Sequence, residues 1–217
     1  MHEHNGDAIQ LICLDLGGVM IRICGGWEEA CRRAGIAFPA RLADPAIWMT
    51  LQDIGNQHEC GLIQDDAFAQ QTGQLIDTPP QHVLAGCDAW LKGPYPGAVE
   101  LIGELSRHGQ VRSACLSNTN TRHWRMMTTP GPHFLGLDRL TWRFTSFEAR
   151  MMKPSPGIFR QVEQATGIAG RAILFFDDSQ ANVHTAQQRG WQAVRIDPAG
   201  DPVAQIRGQL KVRALLD

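Results

Sequence analysis

The run Ile9-Gln10-Leu11-Ile12-Cys13-Leu14 is apolar, short and closed by Gly17-Gly18, which reads as a strand buried on both faces and ending in a turn. Four further segments of the same kind follow: Val111 to Leu116, Leu140 to Thr145, Ala172 to Phe176 and Ala193 to Ile196. They alternate with helical patterns. Repeated strand–helix–strand order requires right-handed crossovers, so the expected class is α/β, a parallel sheet with helices on both faces.

The helices are marked by their ends. Pro96 to Arg107 opens on proline, carries Val99, Leu101, Ile102 and Leu105 on one stripe and stops at His108-Gly109. Pro156 to Thr166 repeats the pattern, with Gly167 beyond its end. Ser179 is suited to cap a helix that runs through Gln188 to Gly190. Between the first two core strands the patterns are helical only: Trp27 to Ala34, Arg41 to Leu51, Asp65 to Ile76 and Gln81 to Leu91. This predicts a helical cap domain over 24–92 inserted into a core made of 1–23 and 93–217. The junctions Ile23-Cys24-Gly25-Gly26 and Lys92-Gly93-Pro94-Tyr95-Pro96 are rich in turn formers.

With 43% hydrophobic and 19% charged residues in 217, and a formal net charge of −2, the chain has globular composition and no basic face for nucleic acid. The segment Met1 to Asp7 lacks the pattern of a secretory leader, and no apolar run approaches the ~20 residues of a membrane span. No membrane partner and a cytoplasmic location are therefore expected. The six cysteines show no CxxC spacing and read as reduced structural thiols.

Four chemistry-bearing stretches follow the strand-like runs, and a parallel sheet would deliver them to one edge, where open α/β sheets bind ligands. Asp15, directly after the first strand, is a candidate nucleophile that can form an acyl phosphate; alone it reads more readily as an ordinary turn former, since many strands end in Asp. Asp177-Asp178 places two like charges at the rim of a strand, a pair that Mg²⁺ would neutralise, or that a solvated turn with a helix cap would explain. Ser117 and Asn118, within Leu116-Ser117-Asn118-Thr119, form a donor set able to grip phosphate oxygens, or a polar turn. Lys153, fixed by Pro154, supplies a cation for charge developing on a transferred group. Their order after consecutive strands favours the joint, phosphoryl-transfer reading.

That ordered set resembles the haloacid-dehalogenase-like hydrolase family, whose four motifs match here as Asp15, Ser117, Lys153 and Asp177-Asp178. Asp15-Leu16-Gly17-Gly18-Val19 and Phe175-Phe176-Asp177-Asp178 look more narrowly like the branch that contains α-D-glucose-1-phosphate phosphatase. The resemblance implies a Rossmann-like core, an aspartyl-phosphate intermediate, and Mg²⁺ held by Asp15, the Gly17 carbonyl and Asp178, with Asp177 supporting that set of metal ligands within reach of Lys153. The expected partner is a small phosphorylated metabolite, and the expected working form is a monomer or homodimer.

Two positions depart from the family pattern. Most phosphatases of the family carry a second aspartate two residues after the nucleophile, as general acid and base, where this chain has Gly17; such help is typically worth ~10²–10⁴ in rate. In the cap, Cys60 stands where relatives often have arginine, which removes a bidentate handle. His58 and Glu59 beside it fit either a solvated helix end or a substrate-facing cap loop. Trp27 and Trp48 read as cap core rather than sugar platforms. Competing with a phosphatase are a metal-free 2-haloacid dehalogenase, which the aspartate pair disfavours, and a degenerate member that binds a phospho-ligand or a protein without turnover.

Overall fold

Strand β1, Leu11–Leu14, has no exposed residue because both of its faces are covered. Ile12 and Leu14 face one apolar layer, Leu11 and Cys13 the other. A computed structural model of the chain describes residues 8–216, so the leader reading of Met1 to Asp7 lies outside the described residues. β1 is followed at once by β2, Ile21–Ile23, then α1, Trp27–Ala34, α2, Pro45–Glu59, α3, Asp65–Ile76, α4, Pro80–Ala89, and β3, Leu91–Pro94. The remaining chain forms α5, Ala98–Ser106, β4, Arg112–Ser117, α6, Thr121–Thr128, β5, Trp142–Thr145, α7, Ser146–Ala149, α8, Pro156–Thr166, β6, Ile173–Asp177, α9, Gln180–Gln188, β7, Gln192–Arg195, and α10, Pro202–Val212.

The sheet order is β5-β4-β1-β6-β7, with every neighbouring pair parallel. One face packs on α5 and α10 through Leu101, Ile102, Val203 and Ile206, and the other on α8 through Ile158, Phe159 and Val162. Phe159, Phe175 and Trp191 meet edge to face, with ring centroids 5.3 to 5.9 Å apart. Each such pair contributes about 0.5–1.5 kcal/mol beyond area burial, which fixes α8 against β6.

Helices α1 to α4 hold a separate apolar cluster, including Leu51, Ile54, Phe68, Ile76 and Val83. The chain leaves for this layer by β2 and returns by β3, which pair antiparallel with a register irregularity between Arg22 and Ile23. Leu91, expected at a helix end, belongs to that ribbon, because the returning chain must meet the departing one. The helix expected over Arg41 to Leu51 divides: a 3₁₀ turn at Ala40–Ala43 ends at Asp44, whose carboxylate accepts the Ala46 N–H at 2.8 Å, and α2 then runs on to Glu59. α5 begins two residues later than expected, since Gly97 is left-handed with φ 78°. Trp48, expected in the cap core, is instead 36% exposed, whereas Trp27 does pack on that cluster. No helix among the described residues is long and apolar enough to cross a membrane.

Candidate active site

Strand register explains why two distant aspartates become neighbours. Leu14 is paired with Phe176, so the next step along both strands aligns Asp15 with Asp177 at the carboxyl edge, and the Asp15 N–H continues the ladder to the Phe176 carbonyl at 2.8 Å. Parallel strands in register project equivalent side chains to one face. That face carries α8, and Lys153 lies just before it.

Lys153 is 2% exposed, and its ammonium uses three protons on three acceptors. Nζ lies 2.8 Å from Asp15 Oδ1, 2.7 Å from Asp177 Oδ2 and 2.8 Å from the Leu116 carbonyl. Although burial works against its charge, the two carboxylates hold its pKa above the ordinary lysine value. Its backbone is clamped as well: Asn118 Nδ2 donates to the Lys153 carbonyl at 2.9 Å, while the Lys153 N–H donates to Asn118 Oδ1 at 2.8 Å. The side chain of Asn118, read from sequence as a phosphate grip, is therefore spent on positioning the lysine. Among the described residues the Ser117 hydroxyl makes only a long 3.4 Å contact to the Asn118 carbonyl, so it is available to a ligand.

Asp177 is fully buried and saturated. Its Oδ1 accepts from the Ser179 N–H at 2.8 Å and Asn182 Nδ2 at 3.0 Å, and its Oδ2 accepts from Lys153 and, at 3.1 Å, from Asn182. Four contacts from three donor groups leave it little capacity to ligate a metal, so its place is behind the site, holding Lys153. Ser179 stands at the start of α9 without the side-chain cap bond expected of it, because the Asp177 carboxylate holds the Ser179 N–H in a tight turn.

The ligand oxygens of Asp15, Asp177 and Asp178 lie within 4.8 Å of one another. Three carboxylates face one ammonium there, leaving two negative charges that a hard divalent cation would neutralise. Gly18 makes room for this cluster: its φ is +72°, and a Cβ on it would sit 2.4 Å from Asp178 Oδ2. Asp15 Oδ1 carries the bonds to Lys153 and to the Leu16 N–H at 2.7 Å, whereas its other oxygen has no donor among the described residues. Burial raises the Asp15 carboxyl to about 7, with Lys153 pulling it down and Asp177 reinforcing the rise. Burial, then Asp177, likewise lifts Asp178 above the usual carboxylate range. With Asp177 saturated, Asp15 and Asp178 are the carboxylates of this group left to hold such a cation.

Beside the carboxylates lies a cavity of about 200 Å³, lined on the sheet side by Gly17, Ser117, Asn118 and Asn120 and on the helical side by Trp27, Leu51, Glu59, Phe68 and Trp90. His58 also borders it, but is 3% exposed, stacks on Phe68 at 4.3 Å and bonds Asp65 at 2.8 Å, so it is not a solvated helix end. Glu59 is part-buried on the last turn of α2. Sequence reading missed His123 and Trp90. Asn120 at the start of α6, whose side chain accepts the His123 N–H, was the available signal for the first. His123 Nε2 then reaches the Cys87 carbonyl at 2.8 Å, and Arg122 pairs with Asp88 at 2.5 and 2.7 Å, bracing α6 against α4.

Solved structures share this architecture. A HAD family enzyme from Bacteroides thetaiotaomicron aligns with a TM-score of 0.79 at 24% identity, over 92% of this chain and 99% of that one. The wild-type form of that enzyme in complex with magnesium and inorganic phosphate aligns at 25% identity with a TM-score of 0.75, over 89% and 97%. L-2-haloacid dehalogenase from Xanthobacter autotrophicus shares the fold more distantly, at 19% identity and a TM-score of 0.54, over 87% and 77%. The model of the haloacid dehalogenase-like hydrolases matches residues 9–190, and the chain belongs to that hydrolase family.

Proposed function

We propose that the protein is a Mg²⁺-dependent hydrolase of small phosphomonoesters that works through an aspartyl phosphate on Asp15. The observation that carries this reading is the cluster in which three carboxylates, Asp15, Asp178 and Asp177, face one buried ion-paired cation among the described residues, Lys153. A dehalogenase nucleophile needs no metal, and for it two uncompensated charges beside the attacking group would be a cost without a use. The magnesium and phosphate bound by the Bacteroides enzyme support the same choice.

Asp15, Asp178 and the Gly17 carbonyl would hold Mg²⁺, which would supply neutralisation of the phosphate charge. The unengaged oxygen of Asp15 attacks phosphorus. Lys153 balances charge on the transferred group and favours the ionised form of Asp15 against its burial, while the Ser117 hydroxyl and the backbone N–H of Asn118 grip the equatorial oxygens. Helices α1 to α4 act as the cap, excluding water and enclosing the leaving group. That chamber is walled by Trp27, Phe68, Trp90 and Leu51 and has no Lys or Arg among its described lining residues. It suits a compact, uncharged ester body; a second phosphate would find no partner.

Phosphate release from such an ester is expected with Mg²⁺, to be lost with excess chelator and restored by added Mg²⁺. Chloride release from a 2-chloro acid in chelator, without phosphatase activity, would replace this reading with the dehalogenase. Gly18→Ala tests the cation site separately. Its methyl group would displace the Asp178 carboxylate, so divalent-cation affinity measured by calorimetry is expected to weaken by about 10–100-fold while the far-UV spectrum is kept.

A further inference from the structure

Gly17 leaves no side chain two positions after Asp15 to move a proton to or from the reacting oxygens. The adjoining cavity does hold one carboxyl group among its described lining residues, that of Glu59. Its polar neighbours are committed: His58 to Asp65, His123 to the Cys87 carbonyl and Asn118 to Lys153. The Glu59 carboxylate has no hydrogen-bond or ion-pair partner among the described residues.

The turn that carries Glu59 is fastened to the sheet domain. The Ser146 hydroxyl lies 2.6 Å from the Glu59 carbonyl and accepts the Thr119 N–H at 2.9 Å, joining the end of α2 to the loop that presents Ser117 and Asn118. Two residues on, Gly61 has φ +64°, a Cβ there would lie 2.7 Å from the Phe147 carbonyl, and Arg150 donates to the Gly61 carbonyl. Glu59 is thus held at the seam between the helical layer and the strand-end loops, lining the same cavity as Gly17, Ser117 and Asn118.

We propose that Glu59 is the acid and base of the reaction, supplying from the cap the proton transfers for which position 17 has no group; the inference rests on the phosphomonoesterase reading. In the first half, Asp15 forms a bond to phosphorus, the ester P–O bond breaks, and the departing oxygen takes the Glu59 proton. In the second half, water attacks phosphorus and gives its proton to Glu59 as the Asp15–phosphorus link opens. Alcohol, inorganic phosphate and the starting protonation state result. Burial pushes the Glu59 carboxyl up to about 7 against the pull of Lys153, so both forms are populated near neutrality. The other titratable groups around it are His58 and Cys60 on or after α2, Cys87 on α4 and His123 on α6. Burial lowers both histidines and raises both thiols, which keeps them neutral and leaves Lys153 as the charge Glu59 senses.

Purified full-length protein with saturating Mg²⁺ and two probes tests this. With benzyl phosphate, whose alkoxide must be protonated to leave, Glu59→Gln is expected to lower kcat by about 10²–10⁴-fold. With 4-nitrophenyl phosphate, whose phenolate leaves unaided, it is expected to give a burst of nitrophenolate stoichiometric with active sites and then slow turnover. The alkaline limb of log(kcat/KM), present in the wild type because Glu59 must be protonated to donate, disappears in Glu59→Gln and returns in Glu59→Asp. Wild-type kcat on benzyl phosphate with an unchanged alkaline limb overturns the proposal, as does an equal loss on both esters without a burst. Asp15→Asn separates the two levels: turnover retained there refutes the phosphatase reading itself, whatever Glu59 does.

Discussion

Asp15→Asn is expected to lower phosphate release by about 10⁴–10⁶-fold, the scale on which loss of a covalent nucleophile is felt. The amide has nearly the shape of the carboxylate, and Lys153 keeps its bonds to Asp177 and to the Leu116 carbonyl. The variant also sheds a buried charge that burial already disfavours. Loss of the Lys153 attraction and relief of desolvation oppose each other, so urea midpoints should change little while activity vanishes. A variant that turns over within tenfold of wild type would remove Asp15 from the chemistry.

Lys153→Met should act on both fold and function. The substitution keeps side-chain bulk but leaves Asp15 and the fully buried Asp177 without their cation; breaking a buried pair in this way costs about 3–5 kcal/mol. The expected result is a large drop in the urea midpoint at neutral pH, together with loss of turnover. The sign of the pH dependence follows from Asp15. Its folded-state carboxyl already sits at about 7, above the unfolded value of 3.8, so the folded form binds the proton more tightly. Stability from this group is present in acid and is lost as pH rises through that window, and without Lys153 the rise is unopposed. The variant should be least impaired in acid and lose ground towards neutrality. A midpoint equal to wild type at neutral pH would show that the lysine is not holding these carboxylates.

Much of the sheet was legible because its signals are local. The runs around Leu11, Ala114, Phe144, Phe175 and Val194 are apolar over strand lengths, and each became a strand. Pro156 to Thr166, with its proline start and glycine stop, became α8 with those bounds. Errors arose where a neighbour distant in sequence intervened. Leu91 left its helix to pair with Ile23, whereas the Ser179 hydroxyl lost its capping role to a near neighbour, the Asp177 carboxylate. Trp48 has the composition of a core residue, but the side of α2 that faces inward is set by packing on α3 and α4.

By itself, then, the order of residues determined the α/β alternation and the delivery of Asp15, Ser117 and Asp177-Asp178 to strand ends, because strand length, helix period and turn chemistry are written within a few neighbours. Tertiary structure alone decided the division of labour among them. Lys153 meets Asp177 across 24 positions and the Leu116 carbonyl across 37, and the Ser146 hydroxyl reaches the Glu59 carbonyl across 87. Which carboxylate is saturated, which amide is spent on a lysine and which acid has no partner among the described residues depend on those long closures, since hydrogen-bonding capacity is consumed by whatever packing brings within reach.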